Sequence, residues 1–279
     1  MRACVIGNSH AAALKMALTA PHRREFDRLD FWVLPGGGQP SVIFESGRLK
    51  AAPIVGGVKV LTTIAAAKES LDISPYQLLI VSACGITAAQ NEWIQRKPDV
   101  HPLGYLKCSG WFDGEEPETL KLISSAMFEA AVESHVRQTA SLKCAELLVR
   151  HFEGPILLQP WPAPSTLVRA DPNWFVNRWY GARAREVWKA FFDAQWRALN
   201  AIPTTLGPRV AVLPYPAPHI IRNAFTDESL TAHDPWHGNP EYGSLVLEQI
   251  VRVSRKLRQA ARTERSGKVP VNGPLLSFV

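Results

Sequence analysis

The sequence predicts an α/β fold in which helices cover both faces of a parallel sheet. Five short apolar runs indicate buried strands, because each run is continuous rather than alternating and ends within a few residues of Gly or Pro. Segments with helical spacing separate most of these runs. Strands that alternate with helices form a parallel sheet, and right-handed crossovers then give a three-layer α/β/α sandwich with about five strands.

The predicted strands, in chain order, are Ala3–Ile6, Phe31–Leu34, Leu78–Val81, Ile156–Leu158 and Val210–Leu213. The residues that end them are Gly7, Pro35, Gly85, Pro160 and Pro214. Ligands of such a sheet bind at the carboxyl ends of its strands. We therefore expect the functional residues in the loops that follow these runs.

The predicted helices are Ser9–Leu18, Thr119–His151, Trp174–Leu199 and Leu245–Leu257. Each carries apolar residues three or four positions apart, which places them on one helical face. In the third helix this stripe is Trp188, Phe192 and Trp196. The pattern predicts helices that pack on the sheet.

Composition narrows the class of protein. The chain has 279 residues, of which 46% are hydrophobic and 20% are charged, a balance that excludes a disordered chain and a disulfide-rich miniprotein. No apolar run approaches the roughly 18 residues of a membrane helix, and we see no signal peptide at the N-terminus. We expect a cytoplasmic protein that binds neither a membrane nor nucleic acid.

The net charge of +6 arises at the C-terminal end. Residues 251–279 hold seven of the 31 Lys and Arg residues but a single acid, Glu264, so the rest of the chain is electrically balanced. Such a run is typical of a solvated helix end followed by a tail. We predict one domain over residues 1–263 and a loosely ordered basic tail over residues 264–279.

The sequence lacks the residue patterns that are typical of metal-binding and nucleotide-binding sites. The four cysteines (Cys4, Cys84, Cys108 and Cys144) form no CxxC pair. Five histidines show no metal-ligand spacing with carboxylates: His22, His101, His135, His151 and His219. Gly36-Gly37-Gly38 lacks the Lys-Ser/Thr of a P-loop, and no GxGxxG opens the first helix. We expect neither a metal nor a cofactor.

Ser9 is the first candidate for chemistry. It lies where the first strand turns into a helix, and the free N–H groups and dipole of a helix N-terminus stabilise developing negative charge there. A nucleophilic serine suits this place. A simple helix cap explains Ser9 equally well, since Ser is a preferred N-cap residue.

Asp234 and His237 form the second candidate. They are three residues apart in the loop after the fifth strand, so the carboxylate can orient the imidazole locally. The imidazole then needs only to reach a serine hydroxyl. A histidine-rich surface loop is the alternative. His233 has the wrong spacing to serve as the base, and His10 is expected to be structural.

Together these two blocks resemble the SGNH/GDSL hydrolase superfamily. That family has Gly-Asp-Ser after its first strand, where this chain has Gly7-Asn8-Ser9, and Asp-x-x-His before its last helix, as in Asp234 to His237. The resemblance implies a flavodoxin-like hydrolase fold over about residues 1–257. It also implies a triad of Ser9 as nucleophile, His237 as base and then acid, and Asp234 as its orienting partner.

The resemblance is weaker at the oxyanion hole. The family's donors correspond to the N–H groups of Ser9 and Gly36 and to an Asn side chain in a Gly-x-Asn block after the third strand. This chain has Gly85-Ile86-Thr87 there, so Asn91 is the predicted replacement. Losing one such donor costs about 3 kcal/mol, or roughly 10² in rate.

The resemblance and the loop aromatics suggest a substrate. Trp161 and Trp236 follow predicted strands and are expected to stack on a sugar or an acyl group, and Tyr215 is expected near the same site. We predict an esterase that hydrolyses a small ester, such as an acylated carbohydrate, through an acyl-serine intermediate. A carbohydrate O-acyltransferase and a non-catalytic domain that binds a glycan or a partner stay open as alternatives.

Overall fold

The computed structural model describes residues 1–33, 42–51, 70–86, 124–167, 184–216, 221–222, 225–234 and 236–265. The strands in these ranges are β1 (Arg2–Gly7), β2 (Arg28–Val33), β3 (Val42–Glu45), β4 (Arg48–Ala51), β5 (Ser70–Asp72), β6 (Leu78–Cys84), β7 (Ile156–Pro160), β8 (Val210–Val212), β9 (Ile221–Arg222) and β10 (Phe225–Thr226). The helices are α1 (Ala11–Met16), α2 (Ala20–Arg24), α3 (Ser125–Gln138), α4 (Ala140–His151), α5 (Ala184–Leu206), a 3-10 turn (Glu228–Leu230) and α6 (Pro240–Arg265).

Five of the strands form one parallel sheet in the order β2-β1-β6-β7-β8. Each of the five predicted runs supplies one strand of it, so the predicted fold class is confirmed. The strand order reverses between β1 and β6, and this is the point where α/β sheets open a crevice for ligands at their carboxyl edge. Ser9 follows β1 at that edge.

Each face of the sheet has its own core. Alternate side chains of β1 point to opposite faces: Ala3 and Val5 pack with α1 and α6, whereas Cys4 and Ile6 pack with α3, α4 and α5. Strands β6 to β8 divide their side chains in the same way. Because both faces are covered, the strands are apolar throughout, which is why they appear as continuous runs in the sequence.

An antiparallel sheet of β3, β4 and β5 was not predicted. Its first two strands are joined by Ser46 and Gly47, whose φ angles are 52° and 74°. Two consecutive positive φ angles define the tight turn that suits a two-residue hairpin. Leu49 and Leu71, on the inner face of this sheet, are buried in the same core cluster as the apolar residues of α4.

The observed helices differ from the predicted ones in their bounds. The helix expected over Thr119–His151 is broken at Thr139, whose extended ψ of 147° ends α3 and begins α4. Helix α6 extends from Pro240 to Arg265, beyond both ends of the predicted Leu245–Leu257. Residues 266–279 lie outside the described part of the chain, so the basic tail stays a prediction. In the described ranges, no helix combines the length and the hydrophobicity that a membrane crossing requires.

Candidate active site

Ser9 lies in a tight turn between β1 and α1. The N–H of Ala11 donates to the carbonyl of Asn8, and that of Ala12 donates to the carbonyl of Ser9, each at 3.0 Å. Gly7 is required just before this turn, because a Cβ there would lie 2.9 Å from the Cβ of Ser82 in the neighbouring strand β6. The close approach of β1 and β6 therefore places Ser9 at the mouth of the crevice.

Asp234 and His237 lie in a loop whose shape is set by its own hydrogen bonds. One carboxylate oxygen of Asp234, Oδ1, accepts the backbone N–H groups of Trp236 and His237, both at 2.8 Å. The loop is closed at its base, since the N–H of Ala232 donates to the carbonyl of His237 at 2.8 Å. Asn239 then caps α6 by accepting the N–H of Tyr242 at 3.0 Å.

The three side chains form one chain of hydrogen bonds. The second oxygen of Asp234, Oδ2, lies 2.7 Å from Nδ1 of His237, and Nε2 of the same ring lies 2.9 Å from Oγ of Ser9. An ionised carboxylate can only accept, so Nδ1 carries the ring proton and Nε2 is left to accept from the serine hydroxyl. The structure brings together the three residues that the sequence predicted as a triad.

The carboxyl of Asp234 is held in its charged form. Partial burial by itself would raise its pKa, but the backbone N–H groups of Trp236 and His237 and the His237 ring together lower the pKa below its ordinary value. An ionised Asp234 at neutral pH stabilises the proton on Nδ1 and any positive charge that the ring gains.

Contact between α1 and α6 joins the two halves of the triad. Ser9 precedes α1 and His237 precedes α6, and the two helices pack side by side on the same face of the sheet. Gly243 allows this contact, because a Cβ there would lie 2.2 Å from the carbonyl oxygen of Ala13. Sequence reasoning missed this role, because the predicted helix began at Leu245, two residues after Gly243, whereas the observed helix begins at Pro240.

The end of β6 is strained and anchored by a buried glutamine. Ala83 has a φ of 63°, in a bulge between Ser82 and Cys84. Oε1 of Gln159 accepts the hydroxyl of Ser82 at 2.6 Å and the N–H of Ala83 at 3.2 Å. The signal for Gln159 was a polar residue inside an otherwise apolar strand, and it was missed.

A second glutamine, Gln195 of α5, holds the residues just beyond β6. Its Oε1 accepts the N–H of Ile86 at 2.7 Å, and a Cβ on Gly85 would lie 3.1 Å from its Cδ. The N–H groups of Ala83 and Ile86 are thus committed to Gln159 and Gln195. The predicted oxyanion donors Gly36 and Asn91, like Thr87, lie outside the described residues.

The two predicted substrate-stacking tryptophans lie in one aromatic pocket. Trp161 and Trp236 line it together with Trp188, Phe191 and Phe192. Trp161 is only 6% exposed, and its Nε1–H donates to the carbonyl of Gly85 at 2.9 Å, whereas Trp236 is half-buried. Tyr215 packs on Phe192 and Trp196 at the back of this cluster. Stacking on a substrate stays a prediction for both tryptophans.

The other candidate groups fall outside the triad. His233 is exposed, and His10 is buried beside His237. Within the described ranges, no three His, Cys, Asp or Glu side chains are placed to hold a metal ion. Cys4, Cys84 and Cys144 are buried free thiols, and burial raises the pKa of each. A buried thiol with a raised pKa carries little of the reactive thiolate form, so none of the three suits nucleophilic chemistry.

Comparison with family models, with curated proteins and with solved structures finds no match to this chain.

Proposed function

We propose that this chain is a serine esterase of the SGNH type that hydrolyses an acyl ester through an acyl-serine intermediate. The observation that carries the proposal is the continuous relay from Ser9 through His237 to Asp234, with hydrogen bonds of 2.9 and 2.7 Å. A helix cap requires no histidine at the serine hydroxyl. The relay therefore favours a nucleophilic Ser9 over a capping one.

The geometry supports a two-step mechanism. Oγ of Ser9 attacks the ester carbonyl carbon while its proton passes to Nε2 of His237, and Asp234 stabilises the imidazolium that forms. The tetrahedral intermediate collapses as His237 returns the proton to the leaving alkoxide, which leaves the acyl group on Ser9. Water then attacks this ester with His237 again as the base, and the acid leaves as Ser9 regains its proton.

The proposal also assigns the hydrogen-bond donors that stabilise the negatively charged oxygen of the tetrahedral intermediate. The N–H of Ser9 is the first donor, and the N–H of Gly36 and the side chain of Asn91 are the further donors that the family resemblance implies. The backbone N–H groups of Ala83 and Ile86, at the end of β6, already donate to Gln159 and Gln195. These two N–H groups are therefore not free to bind the oxyanion.

An acylated carbohydrate is the substrate class we propose. The side chains of His237 and Asp234 are 34% and 46% exposed, so the relay is open to a bulky alcohol. Trp236, next to the catalytic ring in sequence, borders the aromatic pocket, and aromatic faces suit the apolar face of a sugar. We also propose a cytoplasmic location, which the buried free thiols of Cys84 and Cys144 favour.

Replacing Ser9 by Ala tests the proposal. Wild-type protein should hydrolyse p-nitrophenyl acetate and an acetylated sugar, and a fluorophosphonate probe should label it at Ser9. Ser9→Ala should lose labelling and at least about 10³-fold in kcat. The matched control is Ser254→Ala, which removes a buried hydroxyl that has no partner within the described residues. Equal labelling and turnover by Ser9→Ala would refute the assignment.

A further inference from the structure

His10, the residue after Ser9, lies flat against the ring of His237. The two ring centroids are 4.1 Å apart and the planes differ by 21°, which is a stacked arrangement. His10 also meets Trp161 edge to face, with centroids 3.7 Å apart and planes at 77°. The His10 residue is 5% exposed, so it is almost fully enclosed by protein.

Hydrogen bonds fix the backbone of His10 and the side chain of Trp161. The N–H of His10 donates to Oδ1 of Asn8 at 3.1 Å, and Asn8 is itself buried. Trp161 is fixed to the end of β6, because its backbone N–H donates to the carbonyl of Cys84 and its indole N–H to that of Gly85. The ring of His10 therefore lies between an anchored tryptophan and the ring of His237.

We propose that His10 is a positioning residue whose ring holds the imidazole of His237 in the plane that directs Nε2 at Ser9. This inference rests on the proposed function. The hydrogen bond to Asp234 fixes one corner of the His237 ring, but the ring can still tilt about that bond. A flat neighbour restrains the tilt, and a misplacement of about 1 Å at a reacting group can cost about 10² in rate.

The chemical state of His10 fits this role. Burial, and secondly the neighbouring His237, lower the pKa of His10 well below its ordinary value, so its ring is neutral. Its Nδ1 has no hydrogen-bond partner within the described part of the chain, and a charged imidazolium would need one. The titratable side chains placed against the His237 ring there are Asp234 at Nδ1 and His10 on its face. A neutral aromatic face tolerates the positive charge that His237 gains during turnover, whereas a second cation would repel it.

Two variants of similar volume test whether the planar shape of the His10 ring matters, or only the space that it fills. His10→Phe keeps a planar neutral ring, and we expect its kcat to stay within about threefold of wild type. His10→Leu fills the space without a flat face, and we expect kcat to fall by about tenfold or more with KM within about twofold. Leu148→Ala, a buried change in α4 on the other face of the sheet, controls for lost stability: it should lower Tm without lowering kcat at 25 °C.

A spectroscopic readout tests His10 independently of turnover. The Nδ1 proton that His237 shares with Asp234 should give a downfield proton resonance, which His10→Phe should keep and His10→Leu should broaden by faster exchange. Unchanged kcat and resonance in His10→Leu, or equal losses in both variants, would overturn the inference. Failure of wild-type protein to cleave esters or to react with a fluorophosphonate would instead refute the proposed function, while the resonance would still test the contact.

Discussion

The two halves of the candidate site are held in different ways. The Asp234–His237 half is shaped by hydrogen bonds inside one short loop, with Asp234 accepting two backbone N–H groups and the ring proton. The Ser9 half depends on contacts between distant parts of the chain, through Gly7 against β6 and α1 against α6. We therefore expect that a change in the local half spares the stability of the fold, whereas a change in the long-range half lowers it.

The largest expected effect comes from breaking the local half. Asp234→Asn should lower kcat by about 10³ to 10⁴, because an amide stabilises neither the Nδ1–H tautomer nor the imidazolium. Its Tm should fall little, since the amide oxygen can still accept the backbone N–H groups. The measurements are ester-hydrolysis kinetics and thermal unfolding.

A double variant sharpens this test. If Asp234 acts through His237, then adding Asp234→Asn to His237→Ala should remove little further activity, because members of a triad act as a unit. Fully multiplicative losses would contradict a shared role.

Breaking the long-range half should damage fold and activity together. Gly243→Ala places a methyl group 2.2 Å from the carbonyl oxygen of Ala13, so α6 must move away from α1. Such overpacking costs about 1–3 kcal/mol, which corresponds to several degrees in Tm for a chain of this size. Activity at 25 °C should also fall, because Ser9 and His237 precede these two helices.

The control for this variant lies next to it. Ser244→Ala adds no volume in the same turn of α6, and its Tm and activity should match those of wild type. Loss of stability in Gly243→Ala without any loss of activity at 25 °C would show that the α1–α6 contact does not position the triad.

The same contrast explains what the sequence could predict. Each apolar run became a strand because a strand covered on both faces must be apolar throughout, and Asp-x-x-His was recognisable because its hydrogen bonds span three residues. The contact between Gly243 and Ala13 joins residues 230 positions apart, and one sequence carries no direct sign of it. The hydrogen bonds by which Gln159 and Gln195 hold the end of β6 also join residues far apart in the sequence, so the sequence alone does not predict them.

Two misses had local signals. Ser46-Gly47 between two short runs that contain β-branched, aromatic or alternating residues is a hairpin pattern, and it predicts β3 and β4. Thr139 is a preferred N-cap residue, and it separates α3 from α4 where a single helix was expected. In that segment the apolar spacing continues across the break, which hid the boundary.

A smaller effect is expected where long-range support acts through one hydrogen bond. Gln195→Leu leaves the N–H of Ile86 buried without its acceptor, at a cost of about 1–3 kcal/mol. Amide hydrogen exchange at Ile86 should become faster, and kcat should fall less than in Asp234→Asn because no triad atom is removed. Asn200→Leu, an exposed amide on the same helix, is the control. Unchanged exchange at Ile86 would show that this bond does not anchor the end of β6.

The smallest effect tests whether the far end of α6 also aligns the site. Hydrogen bonds from Arg255 and then Arg258 lower the pKa of Glu25 to about 2, and they tie the end of α2 to α6. Because the folded pKa lies below the ordinary value of 4.5, this stabilisation is complete above pH 4.5 and is lost as the pH falls toward 2. Glu25→Gln should therefore lower Tm slightly at pH 7 and reduce the loss of Tm between pH 4.5 and pH 3, relative to wild type and to the exposed control Glu248→Gln.

Solvent screens this ion pair, so its effect on Tm should be smaller than that of Gly243→Ala. Ester hydrolysis at pH 7 should be unchanged, because the contact at Gly243 holds the first turn of α6, which directly follows His237. A fall in kcat comparable to that of Gly243→Ala would mean instead that the whole length of α6 sets the distance between Ser9 and His237.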